Sequence, residues 1–217
     1  MMFTSCAPVE TNEEKTANSE YSQEVQNLEK LCKVWGYAKY NHPAFLLGQK
    51  DWDEELLNLI AVVSEAKEDE VNDILHEWFV SLGEIDYGSV RERNLLPENR
   101  LIIQSDTKWI CEDYLGKELS YDLNQFGPIP NIDYSKAPVQ FTGTAWISVP
   151  NFSNEKYYDD MDYSDQSYRL LGLFRFWNAM EYYCPYLDIL DESWRNQIQP
   201  FIIRMMEGND QHSYEMT

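Results

Sequence analysis

The chain has 217 residues, 43% hydrophobic and 14% aromatic, enough apolar material for one large or two small folded units. Its 38 acidic residues against 17 Lys and Arg give a formal charge of −21, which argues against nucleic acid and anionic membrane surfaces as partners, since both need clustered cations. The longest apolar run, Leu56 to Val63, contains Asn58 and is far shorter than the ~18 residues of a membrane span.

Residues 1–24 open with "MMFTSC", an apolar stub ending in small residues and Cys6, followed by a polar, acidic stretch. This fits the remnant of a bacterial lipoprotein signal with Cys6 as the lipidation candidate and a flexible tether behind it. The charged start and most of the apolar core of such a signal are absent, which implies a true start upstream of Met1. The alternative is an ordinary N-terminus with a chance cysteine.

Residues 25–83 read as a helical unit. Leu28, Leu31, Trp35, Ala38 and His42 recur at spacings of three and four, and Pro43 ends the pattern. Asp51, with Glu54 three residues on, caps a second helix carrying Trp52, Leu56, Leu59, Ile60 and Val63. A third helix places Val71, Ile74, Leu75, Trp78, Phe79 and Leu82 on one face and stops at Gly83.

Residues 84–150 form a mixed or β segment: "RLIIQS", "PVQFT" and "AWISVP" are strand-like, and "DTKWICEDYLGK" suggests a short helix capped by Asp106. Residues 151–165 form an acidic loop. Residues 166–217 then repeat the first unit 142 positions later. Leu28, Leu31, Trp35, Tyr40, Pro43, Trp52 and Ile60 meet Leu170, Leu173, Trp177, Tyr182, Pro185, Trp194 and Ile202 without a gap. Two of the seven matches are Trp and one is Pro, and both the helical period and the proline stop agree. Trp35, Tyr40, Pro43, Trp52, Trp177, Tyr182, Pro185 and Trp194 are therefore the structural anchors of the repeat. Ser193 would cap the second helix of this unit, and Pro200 would kink or shorten it. The sequence ends where the third helix would begin, which implies an incomplete unit. The expected fold is α+β, predominantly α-helical, with two related helical units flanking a small β-containing segment.

Chemical motifs are few. There is no nucleophile elbow or S-x-x-K, and Ser89 in "YGSV" reads as a turn. His42, His76 and His212 are scattered: His42 beside Pro43 reads as structural and His76 as solvated. Asp159, Asp160, Asp162 and Asp165 lack the Gly and Glu of a calcium loop and read as a solvated loop and helix cap. Cys32, Cys111 and Cys184 form no C-x-x-C pair, so neither zinc nor a disulfide framework is expected. Spacing indicates no cofactor, metal or catalytic residue. Trp35, Tyr37, Tyr40, Trp177, Tyr182 and Tyr183 are candidates either for core or for a peptide or glycan groove.

The phrases "LCKVWGYAKYNHP", "DWDEELL" and "NFSNEKYYDDMDYSDQSYRLLGLFRFWNAMEYYCPY" resemble the N-terminal region of Bacteroidetes-type peptidases of the carboxyl-terminal-processing (tail-specific) serine peptidase family. The resemblance covers Leu28 to Met206. It implies a helical, non-catalytic region of an exported, envelope or periplasmic peptidase whose Ser–Lys pair lies downstream. Peptide or protein substrate would then be engaged through further domains. The alternative is a free-standing envelope lipoprotein that binds peptide or glycan through an aromatic groove.

Overall fold

A computed structural model describes residues 21–84, 107–125, 134–144, 147–184, 186–187 and 192–217. The expected anchor at Cys6, the strand near residues 100–105, Ser89, the Asp106 cap and Pro185 lie outside them.

The first unit contains α1 (Gln23–Asn41), a single turn α2 (Pro43–Leu46), α3 (Trp52–Glu65) and α4 (Val71–Ser81). Ser22 caps α1 by accepting from Val25 N–H at 3.4 Å. Pro43 holds His42 extended at ψ 132°, and His42 N–H closes the helix on Ala38 O. Asp51 Oδ1 accepts from the N–H groups of Asp53 and Glu54 at the start of α3, as the cap pattern predicts. Gly83 ends α4 at φ 111°, a conformation that favours glycine.

The middle segment contains α5 (Glu112–Leu115), α6 (Lys117–Gln125) and a hairpin of β1 (Gln140–Thr144) and β2 (Ile147–Asn151). The strands pair antiparallel, Gln140 opposite Asn151 and Thr142 opposite Val149. The segment is thus more helical than its sequence suggests. Cys111 takes the cap position of α5, without a side-chain bond.

The second unit has α7 (Gln166–Tyr183), a 3₁₀ stretch Glu192–Gln197, α8 (Ile198–Glu207) and a short α9 (Gln211–Glu215). Asp165 caps α7 through Ser167 N–H. Ser193 is no α-helix cap, because it lies inside the 3₁₀ stretch. Pro200 shortens the helix without standing in its middle: α8 begins two residues earlier, where a missing N–H costs no intrahelical bond. No described helix is long and apolar enough to cross a membrane.

The two units are interlocked. α1 packs on α3, α7 and α8, while α7 packs on α8, α1 and α3. Each unit's first helix therefore touches both its own second helix and the other unit's, as an approximate two-fold axis requires. Positions 142 apart meet across this axis: Gly36 abuts Asn178, and the Tyr40 and Tyr182 rings lie 5.2 Å apart. Equivalent residues one turn apart can both meet only if α1 and α7 run in the same direction. One apolar cluster runs through both units, from Val25 to Met205. Leu28, Leu31, Trp35, Leu56, Phe174 and Leu170 are wholly enclosed, each burial contributing about 1.5–3 kcal/mol.

Candidate ligand-binding groove

Lys39 sits in the last turn of α1 and is 0% exposed. Its Nζ lies 2.5 Å from Glu155 Oε1, poorly aligned for a hydrogen bond, so the contact is chiefly ionic. The ammonium also lies over the rings of Trp35, Tyr40 and Trp52, 4.9–5.8 Å from their centroids. Glu155 Oε2 lies 2.5 Å from Arg175 and accepts from Trp52 Nε1 at 3.3 Å. Arg175 in turn reaches Asp53 at 3.0 Å, and Tyr158 O–H donates to Asp53 at 2.9 Å.

Residues 152–158 thus form a strap across the meeting point of α1, α3 and α7. It is further held by the Lys156–Asp51 ion pair and by Arg175 Nη1 donating to Lys156 O at 3.0 Å. Burial pushes the Lys39 amine below its ordinary pKa, with Glu155 opposing. Burial pushes Asp53 up, with Arg175 and Lys39 opposing. Two cations and two carboxylates balance in this enclosed space, which keeps the four charges compatible with burial.

The two-fold relation maps this cluster onto a second place. Trp35, Tyr40, Lys39, Asp53, Gly36 and Arg175 correspond to Trp177, Tyr182, Glu181, Arg195, Asn178 and Lys33. All six of the latter line a groove of about 160 Å³, with Trp109 as the seventh wall residue. The charges at these equivalent positions have opposite signs, although Lys39 and Asp53 meet Glu155 and Arg175 respectively and not each other. Where the first unit has Lys39 on its first helix and Asp53 on its second, the second unit has Glu181 and Arg195. Arg195 Nε donates to Glu181 Oε1 at 3.1 Å. Lys33, opposite them, is held by Glu29 at 2.5 Å.

The strap has no equivalent here among the described residues. Trp194, the counterpart of Trp52, stacks on Trp177 at 4.5 Å and 7°. Trp52 Nε1 has Glu155 as its acceptor, whereas Trp194 Nε1 is buried without a partner among the described residues. Trp109 arrives from the middle segment and stands edge-on to Tyr37 at 6.1 Å. Aromatic walls with a few fixed charges are the chemistry of reversible binding. At about 160 Å³ the groove is smaller than the ~300–1,000 Å³ of small-molecule sites and suits one inserted side chain.

The aromatic candidates divide accordingly. Trp35, Tyr37 and Tyr40 are core, Trp177 and Tyr182 line the groove, and Tyr183 packs on Tyr40, Phe141 and Phe152. His42 is structural: its Nδ1 accepts from Ala44 N–H at 3.1 Å, and burial lowers its pKa to about 4. His76 is not simply solvated, because its Nε2 lies 2.9 Å from Asp122 and ties α4 to α6. His212 lies on α9 and is exposed. Asp162 binds Ser164 N–H and Oγ, so it and Asp165 act as local caps, while Asp159 and Asp160 face solvent. Cys32 is buried, with its thiol pKa pushed up by desolvation; Cys111 is exposed and Cys184 half-buried, all three as free thiols.

Sequence reasoning missed Lys33, Glu181 and Arg195. Scoring the repeat for identities discards Lys39 against Glu181 and Asp53 against Arg195, although the paired sign reversal is itself a signal. No protein-family model, curated protein or solved structure matches this chain.

Proposed function

We propose that this chain is a non-catalytic, peptide-holding helical module of an exported serine peptidase of the tail-specific family, working in the cell envelope. One observation carries the peptide-holding part: the groove's counterpart across the two-fold axis is filled by a peptide segment, the chain's own strap 152–158. The peptidase setting rests on the resemblance of Leu28 to Met206, above all "RLLGLFRFWN" within α7.

A second reading is a free-standing envelope lipoprotein that uses the same groove, with Cys6 as anchor. The small groove favours a peptide side chain over a glycan in either setting.

The test has two arms. Titration of the purified chain with unstructured peptides, followed by tryptophan fluorescence, should saturate, and Trp109→Ala should weaken it while circular dichroism stays unchanged. No binding by any peptide would overturn the peptide-holding function. The gene separates the two settings: a frame that runs past Thr217 into a Ser–Lys domain supports the peptidase, and a stop there supports the lipoprotein. A chain that alone hydrolyses peptides, and loses this with a serine-directed reagent, would overturn both.

A further inference from the structure

The repeat also marks a second surface, on another side of α7 from the groove. In the first unit, α4 lies along one side of α1 and α3. Lys30 Nζ donates to Asn72 at 2.8 Å near the start of this contact, and the His42 and Phe79 rings lie 5.5 Å apart near its end. Positions 30, 34, 38 and 42, each four apart, therefore face α4. On the α3 side, Trp78 Nε1 donates to Glu55 at 2.9 Å. The helix seated here is amphipathic: Val71, Leu75, Trp78, Phe79 and Leu82 are buried, whereas Asp73 and Glu77 are exposed.

In the second unit, only the first turn of that helix has a counterpart among the described residues. Tyr214 of α9 stands against Gly172, and this pair is equivalent to Asn72 against Lys30. Beyond that turn the same stripe of α7 is uncovered. Val34 is 0% exposed, and its equivalent Phe176 is 57% exposed. Ala38 and Leu59 are buried, whereas their equivalents Met180 and Phe201 are only half-buried. Met216, in the place of the half-buried Ile74, is 71% exposed. Phe176 lies 6.4 Å from Trp194, Trp194 stacks on Trp177, and Trp177 lies 6.4 Å from Phe201. These rings make the floor of the face continuous.

We propose that the α7–α8 face from Phe176 to Phe201 docks an amphipathic helix of a partner protein, in the place that α4 takes in the first unit. This surface is separate from the peptide groove and does not depend on it. The seat of α9 occupies the first turn and fixes where the docked helix starts. Apolar side chains four and seven apart on the partner then cover Phe176, Met180 and Phe201. The chain's charge of −21 sets the chemistry of the partner's outer side, since a basic side is attracted and an acidic one repelled. A second copy of this chain, equally acidic, is disfavoured on the same ground.

The probe is a labelled synthetic peptide of residues 70–83 carrying Asp73→Lys and Glu77→Lys, which keeps the apolar side of α4 and makes its outer side basic. Its fluorescence anisotropy should saturate on titration with the full chain, and the Met180 methyl resonance of the protein should shift. Adding Leu75→Ala and Phe79→Ala to the peptide does not lower its helix propensity, yet should weaken binding about tenfold or more. Phe176→Ser in the protein, at an exposed position, should cost a similar factor while circular dichroism stays unchanged. The peptide with its native Asp73 and Glu77 should bind more weakly than the lysine form, by a factor that shrinks as salt rises. Absence of binding, saturation with an unmoved Met180 methyl, or full affinity in folded Phe176→Ser protein would each overturn the proposal. Dimerisation of the full chain that Phe176→Ser abolishes would overturn it too, by assigning the face to a second copy.

Discussion

Gly36 on α1 faces Asn178 on α7 so closely that a Cβ at residue 36 would lie 1.7 Å from Asn178 Oδ1. These are equivalent positions of the repeat, and Asn178 Nδ2 uses the space to donate to Cys32 O at 3.1 Å and to Phe174 O at 2.9 Å. Glycine is thus required on one side of the seam so that a polar side chain can fill the other. Gly36→Ala would gain roughly 1 kcal/mol of helix propensity but lose ~1–3 kcal/mol to overpacking and broken Asn178 bonds. Urea denaturation should show a lower midpoint, and Asn178→Ala in the same chain should recover part of the loss.

Lys39→Met should be among the most damaging single changes. It leaves Glu155 and Asp53 facing Arg175 alone in an enclosed space, and breaking a buried pair from one side costs about 3–5 kcal/mol. Thermal unfolding should show a large drop in midpoint. An unchanged midpoint would show that the strap does not hold the two units together.

His42 gives a pH dependence with a definite sign. Burial lowers its folded pKa to about 4 from 6.5, so unfolding takes up a proton between those values. Stability from this group is complete above about pH 6.5 and is lost progressively as pH falls through 4, up to ~3 kcal/mol. Asparagine can still cap α2. His42→Asn should therefore be less stable at pH 7 and lose less on acidification, as read by urea midpoints from pH 7 to 4.

Gly172 on α7 lies beneath Tyr214 of α9, where a Cβ would come within 2.1 Å of the phenol oxygen. The helix-propensity gain of roughly 1 kcal/mol offsets the local loss, so Gly172→Ala should leave global stability nearly unchanged. Amide exchange should instead rise selectively at residues 211–215, because α9 is displaced while the core persists.

Much of this architecture is legible in the sequence because period and punctuation agree. Pro43 and the Asp51 cap bound helices where the pattern places them, and the second unit's first helix has the expected face. Three features are not legible. α6 offers only Leu119 and Leu123 as a deeply buried apolar stripe, too short a signal to separate from a loop. Lys39 and Asn27 lie outside the apolar stripe of Leu28, Leu31, Trp35 and Ala38, yet α1 is central and buried on nearly all sides, so its polar residues find partners in Glu155 and in the carbonyls of Val63 and Ala66. The groove needs Trp109 beside Trp177, a neighbourhood set by tertiary packing across the chain.

The mutual grip of α1 on α8 and of α7 on α3 also bears on how such a chain could arise. A polypeptide holding only one of the halves would display a self-complementary surface and would close upon a second copy of itself. Fusing two such genes turns a symmetric dimer into one chain, after which the paired sites are free to diverge. On that view one of them has been sealed by an intervening linker, and its sibling has stayed open to visitors.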